Sequence, residues 1–403
     1  MKEGNLSAKT RKLWIALTCA GMMQHGIVIV LVGALLPALM KTFGIRESAA
    51  GLMLGIGALG FVLGPLVAGM LADRTDPRTV FLVGLGIEAV LLTAFSLAPT
   101  FPLAVAAYFL FSIGAGFIET VTNIVPTRIE PEHPGSLMNM AHMFFSIGAF
   151  LSPFAAGLIL QATGSWRPVY WLVAALTALL FLIIWRSPFP QTPAPVQEAK
   201  PAGRVSSVLR ERAVLLGALA LLLYVASELG VSNWITLYAQ EELGFPMVTA
   251  AATISALWLG LMIGRFLNSR LALRRSSRQL VMWSGVIGVI SILALLTART
   301  PIALYLWLLV VGLSMSGMYP NIMADVNSRY PIQMGLVTGF LAQAAALGTM
   351  LSQPVMGLVA ERVGLTAALA IPALLLGLMT LAYLGVGPAR RRAAETAALP
   401  VGE

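Results

Sequence analysis

Apolar runs of about the twenty residues a helix needs to cross a bilayer recur along the whole chain, separated by short polar breaks. Twelve stand out: 13–39, 48–72, 79–98, 101–127, 134–163, 167–186, 212–240, 246–270, 279–298, 301–326, 333–361 and 365–386. They predict an all-α integral membrane protein with twelve transmembrane helices. One break is different. Ser187-Pro188-Phe189-Pro190-Gln191-Thr192-Pro193-Ala194-Pro195 is proline-rich and cannot continue a helix, and Lys200 to Arg212 is basic. The expected organisation is a six-helix bundle over 1–186, a cytoplasmic linker over 187–211, and a second six-helix bundle with a cytoplasmic tail over 212–403.

The two halves resemble each other at an offset of 200. Phe43-Gly44 aligns with Leu243-Gly244, Leu59-Gly60 with Leu259-Gly260, and Gly64 with Gly264; Gly148 and Gly157 align with Gly348 and Gly357. Near the same offset, Asn123-Ile124 pairs with Asn321-Ile322, and Ser152-Pro153 with Gln353-Pro354. A parallel repeat of six-helix halves puts a solute site between them, near the bilayer midplane.

Composition agrees: 58% of residues are hydrophobic and only 11% charged, outside the range of soluble domains. Basic residues cluster in the N-terminus (Lys2, Lys9, Arg11, Lys12), the even-numbered loops and the tail. The odd-numbered loops hold only Lys41, Arg46, Arg167, Arg299 and Arg362, and Arg265 lies within segment 8. The positive-inside rule then predicts cytoplasmic termini in a plasma (inner) membrane protein. This bias accounts for the net charge of +9 and leaves nothing for a nucleic-acid partner to explain. Cys19 is the only cysteine, which excludes an internal disulfide and a cysteine-based metal site. The first apolar run is too long for a signal-peptide core and is expected to be retained.

The most informative stretch is Gly114–Pro126. Glu119 and Asn123 lie four residues apart on one helix face, with Ser112 and Gly116 making that face small and polar. Intramembrane acids are costly and usually face a pathway or a partner, so Glu119 is the leading candidate to carry a coupled proton. The competing reading is a structural acid bonded to Asn123 or His142. Glu228 shares a face with Tyr224 and Ser232. Glu88 lies on a segment expected to be peripheral, and Asp325 is expected to pair with Arg329.

The loop Gly69-Met70-Leu71-Ala72-Asp73-Arg74-Thr75-Asp76-Pro77-Arg78 resembles the G-x-x-x-D-R-x-G-R-R signature of the major facilitator superfamily, with Asp76-Pro77 in place of glycine and a basic residue. The resemblance implies the two-bundle major facilitator fold and a conformational lock formed by Gly69, Asp73, Arg74 and Arg78. Gly116-Phe117-Ile118-Glu119-Thr120-Val121-Thr122-Asn123 is similar to the E-T-x-x-N segment of the fucose permease group of sugar–proton symporters. Met138-Asn139-Met140-Ala141-His142-Met143-Phe144-Phe145-Ser146-Ile147-Gly148 is similar to that group's L-N-x-A-Q-x-F-x-S-x-G, and Tyr224–Glu228 with Trp234 resembles segment 7 of related sugar carriers. The group's acid in segment 1 is missing here; Gln24 and His25 are the polar residues available. Glu119 is therefore expected to couple protons with His142, Glu228 or His25.

The expected solute-binding residues are Gln24, His25, Asn123, Asn139, Tyr224, Glu228, Trp234, Asn321 and Gln343. Helix packing is the competing role for the amides and for Trp234. No phosphate-binding loop, nucleophile elbow or zinc motif occurs, so the chain is expected to be a secondary transporter and not an enzyme, with no cofactor and no metal. Its expected partners are a small polar solute, a sugar by the resemblance, protons or sodium, and the lipid bilayer, with the single chain as the working unit. The alternative is a proton-driven exporter of drugs or metabolites.

Overall fold

A computed structural model describes residues 8–129, 134–188, 208–330 and 333–387. Its helices are α1 (Ala8–Ala34), α2 (Leu36–Phe43), α3 (Glu47–Ala72), α4 (Pro77–Leu97), α5 (Phe101–Ile129), α6 (Pro134–Thr163) and α7 (Arg167–Arg186). After residues 189–207, which lie outside the described residues and take most of the expected linker with them, come α8 (Arg212–Glu241), α9 (Met247–Leu271), α10 (Ser277–Leu295) and α11 (Pro301–Met315). The last are α12 (Met318–Asn327), α13 (Met334–Val363) and α14 (Leu365–Val386). Twelve spans are long and apolar enough to cross a membrane. The chain is a multi-pass, all-helical membrane protein.

Two expected segments are broken. Segment 1 splits at Leu35, because Pro37 in the first turn of α2 has no N–H to continue the ladder, and α2 closes at Gly44 with φ +62°. Segment 10 splits at Ser316-Gly317, between α11 and α12. Other ends follow ordinary capping chemistry. Asp76 Oδ1 accepts from the Thr79 amide at 3.0 Å ahead of Pro77, and Ser276 with Gln279 forms a capping box at α10.

The offset of 200 is visible as repeated contacts. A Cβ on Gly64 would lie 2.5 Å from the Ile113 carbonyl oxygen, and one on Gly264 would lie 2.9 Å from that of Leu313. Gly148 faces the Met23 carbonyl as Gly348 faces that of Leu222. Backbone thus meets backbone at α3–α5 and α9–α11, and again at α1–α6 and α8–α13. The turn glycines repeat too: Gly44 and Gly244 have φ 62° and 67°.

The first six spans meet the last six along seams obeying the same offset, α3 on α13 and α6 on α9, with α1 against α8 between them. A Cβ on Gly51 would lie 2.9 Å from Gly357 Cα, one on Gly157 3.2 Å from Val248 Cα, and one on Gly33 2.8 Å from Asn233 Cα. Glu361 ties the same end together, accepting from Ser48 N at 3.2 Å and Arg46 at 3.4 Å. These contacts all lie at the end away from the start of α1. At the opposite end of α3 and α13, Gly69, Gly335 and Gly339 would meet nothing within 4 Å. The close backbone approaches between the two groups of helices named here lie at one end, and these three glycines at the other end face open space.

Gly148→Ala and Gly348→Ala force a methyl into a neighbouring backbone carbonyl. Each should lower the stability of the purified protein by about 1–3 kcal/mol. Gly69→Ala, with open space, should be neutral or up to about 1 kcal/mol more stable; thermal unfolding of the three variants checks this.

Candidate functional site

Close approach of α1 and α6 at Gly26 and Gly148 presses His25 into the junction of the two groups of spans. Its ring stacks on Phe61 of α3, with centroids 5.7 Å apart, and tilts against Phe145 of α6 at 5.5 Å. His25 Nε2 lies 3.5 Å from Glu119 Oε2. His25 is buried, whereas the Glu119 side chain is 27% exposed, so this acid in mid-span is not sealed within the helix packing. Asn123, one turn on along α5, donates through Nδ2 to the Glu119 carbonyl at 2.9 Å and to Oε1 at 3.2 Å. His142 on α6 is within electrostatic range of both Glu119 and His25.

The opposite wall comes from the last six spans. Arg265 of α9 reaches across the seam and donates through Nη1 to Ser146 Oγ at 2.6 Å, one turn beyond His142. The Arg265 charge also acts on His142 and on Glu228. Tyr224, one turn before Glu228 on α8, lies within electrostatic range of the Glu228 carboxyl. Tyr319 of α12 lies in range of both Glu119 and Glu228. The result is a polar ring at the junction, with Glu119, Asn123, His25 and His142 on one side and Tyr224, Glu228, Arg265 and Tyr319 on the other.

Several expected site residues are spent elsewhere. Gln24 turns away from Glu119 and donates to Glu88 Oε2 at 2.5 Å and to Thr177 Oγ1 at 2.9 Å, and Glu88 is fully buried rather than peripheral. Trp234 is also fully buried, with its indole N–H on Gln353 Oε1 at 2.9 Å. Asn321 is buried and donates to the Gly317 carbonyl at 2.7 Å, beside the α11–α12 break. Gln343 is half-buried on α13. The side chain of Asn139 lies outside the described residues.

The expected lock is not assembled. Asp73 and Arg74 are exposed and, among the described residues, make no ion pair. Arg78 instead caps α7, donating to the Ile184 carbonyl at 3.2 Å and to that of Trp185. Its repeat partner Arg278 does the same for α14 through the Leu384 carbonyl at 3.0 Å. The expected pair of Asp325 with Arg329 forms at 3.1 Å.

The residue that sequence reading passed over is Arg265. Its signal was plain: an arginine inside an apolar segment is as exceptional as Glu119. In the sequence it lies within segment 8 with no role assigned, because its reach across the seam is a tertiary fact.

The sequence profile described as Major Facilitator Superfamily matches residues 13–350. The chain belongs to the major facilitator superfamily. Among curated proteins, a TsgA homolog of Yersinia pseudotuberculosis serotype O:1b (strain IP 31758) is 24% identical over 266 residues, covering 65% of this chain and 66% of that protein. The match thus spans just under two thirds of that relative's length. Among solved structures, a D-xylose-proton symporter superposes with a TM-score of 0.79 at 16% identity, over 93% of this chain and 97% of that one. The E. coli fucose:proton symporter superposes with a TM-score of 0.65 at 22% identity, over 94% and 99%. The nucleoside transporter NupG gives 0.76 at 15% identity, over 94% and 98%. At these identities the likeness is one of fold.

Since Arg78 and Arg278 cap helices through charged donors, Arg78→Ala and Arg278→Ala should each lower stability by about 1–2 kcal/mol. Asp73→Asn, exposed and unpaired in this state, should change it by less than about 0.5 kcal/mol. Denaturation of the purified variants measures both.

Proposed function

We propose that the chain is a secondary transporter that carries a small, neutral, polar solute, a sugar, together with protons by alternating access. The observation that carries this reading is the Glu119–His25 pair, a partly exposed acid and its base at the junction of two groups of helices whose glycine contacts gather at one end. Glu119 faces the imidazole of His25 at 3.5 Å, and Glu228 lies in the field of Arg265. A neutral solute with many hydroxyl groups finds carboxylates, an amide and tyrosines to bond without adding an uncompensated charge. The names of the fucose and xylose symporters of the same fold agree with this class.

With the basic loops on the cytoplasmic side of a plasma (inner) membrane, the end where Gly69, Gly335 and Gly339 face open space points inward. In the opposite state Glu119 carries a proton and binds solute from outside. The helices then rock about the glycine seams. On the inner side, water and His25 favour loss of the Glu119 proton, and the solute leaves. A proton moving down a potential of 100 mV supplies about 2.3 kcal/mol, enough for a useful concentration ratio. A single chain contains the whole site.

Glu119→Gln fixes the neutral form. In proteoliposomes it should abolish accumulation of sugar driven by a pH gradient while leaving exchange of labelled for unlabelled sugar largely intact. Accumulation at the wild-type level would remove Glu119 from coupling. Accumulation that follows a sodium gradient, or transport outward in exchange for protons, would replace the proton-symport reading. The sugar is found first by a thermal-shift screen of purified protein against sugars, organic acids and cationic drugs at two pH values.

A further inference from the structure

Glu88 plays no part in the junction. It is fully buried on α4, inside the first six spans, where α4 packs on α5 and α7 and the Gln24 side chain of α1 reaches it. Gln24 Nε2 donates to Glu88 Oε2 at 2.5 Å and to Thr177 Oγ1 at 2.9 Å. Thr177 spends its own proton on the Val173 carbonyl at 2.9 Å. On the α5 side the acid lies against Gly114: a Cβ there would lie 2.9 Å from Glu88 Cγ. Two buried oxygens are left without a partner, Glu88 Oε1 and Gln24 Oε1.

Among the described residues, no cation pairs with this carboxyl. Of the titratable groups on the surrounding helices, His25 of α1 is engaged with Glu119, Arg78 of α4 with the end of α7 and Arg167 of α7 with the Ser96 carbonyl, while the ring of Tyr170 of α7 packs on Phe95 and Trp166 with its hydroxyl unpartnered. Tyr108 of α5 packs on Phe111. An ionised Glu88 would thus be a buried charge with neither water nor counter-ion. It would also leave two acceptor oxygens, one carboxylate and one amide, without a donor between them.

We propose that Glu88 is a resident proton site. Its carboxyl is protonated, and the Oε1–H donates to Gln24 Oε1. With the Gln24 Nε2–Glu88 Oε2 bond already present, this closes a two-bond ring of carboxylic acid and carboxamide that clasps α1 to α4. One proton satisfies both orphan oxygens. Each shares its carbon with an atom of the existing bond, so a turn about the soft terminal torsions closes the ring. The proton's presence follows from local geometry. Its permanence rests on the alternating-access reading above: rocking exposes the junction by turns and leaves the interior of one helix group closed. The clasp makes Gln24 and Glu88 positioning residues for His25, the next residue of α1.

The test is infrared spectroscopy of the purified full chain in lipid vesicles at neutral pH, in H2O and D2O, for the wild type, Glu88→Gln and Glu119→Gln. Glu88→Gln can form both bonds of the ring as an amide pair. A deuterium-sensitive C=O band of a protonated carboxyl should be present in the wild type and in Glu119→Gln, and should be lost in Glu88→Gln. Glu88→Gln should also unfold at the wild-type temperature, with Glu88→Ala well below it. A wild type without that band, or a band unchanged in Glu88→Gln, overturns the proton assignment, and neither reading needs the alanine variant. Glu88→Gln unfolding as low as Glu88→Ala overturns the ring. None of these readouts involves transport, so failure of sugar–proton symport is recognised separately.

Discussion

An acid inside a bilayer must be met by a cation, by water or by a proton, because an unanswered charge there costs several kcal/mol at least. The architecture of this chain turns on three intramembrane acids that meet this requirement in different ways. Glu228 lies in range of Tyr224 and in the field of Arg265. Glu119 has His25 at 3.5 Å and a partly exposed side chain. Glu88 has neither, only an amide, and is assigned a proton of its own. Position decides the role: the first two acids sit where two groups of helices meet, and the third sits inside one group.

Glycine makes that meeting place possible. Where Gly51 faces Gly357, or Gly157 faces Val248, backbones touch with no side chain to interlock, and such small-residue contacts are how helices approach closely in lipid. The same device recurs at the offset of 200 within each group, at Gly148 on Met23 and Gly348 on Leu222. Tight glycine packing holds each group together, and the glycine contacts between groups gather at one end. Arg265 crosses one seam to Ser146, so the charge nearest Glu228 also binds the partner group.

The fold was legible because length and hydropathy in a membrane protein leave little choice. A run of some twenty apolar residues must be a helix, and twelve such spans are present among the described residues. The repeat was legible because Gly60, Gly64, Gly148 and their counterparts are fixed by backbone contact. The site was legible only in part. Glu119 and Asn123 lie on one helix, where spacing alone predicts their shared face. Gln24 and His25 are neighbours, and only the crossing of α1 with α4, α5 and α6 decides that one turns to Glu88 and the other to Glu119. Trp234 and Arg78 matched a motif in sequence, yet a buried amide and a pair of helix-end carbonyls took up their polar groups. Side-chain direction across helix contacts is tertiary information, and no periodicity carries it.

The central claim is that the proton exchanged during transport resides on Glu119. The most direct test is to add a sugar identified as a ligand to the purified protein in weakly buffered solution, over a series of starting pH values, and to follow pH with an indicator. Proton uptake that accompanies sugar binding in the wild type and vanishes in Glu119→Gln, with binding retained, is the predicted result. Equal uptake in both proteins would contradict it.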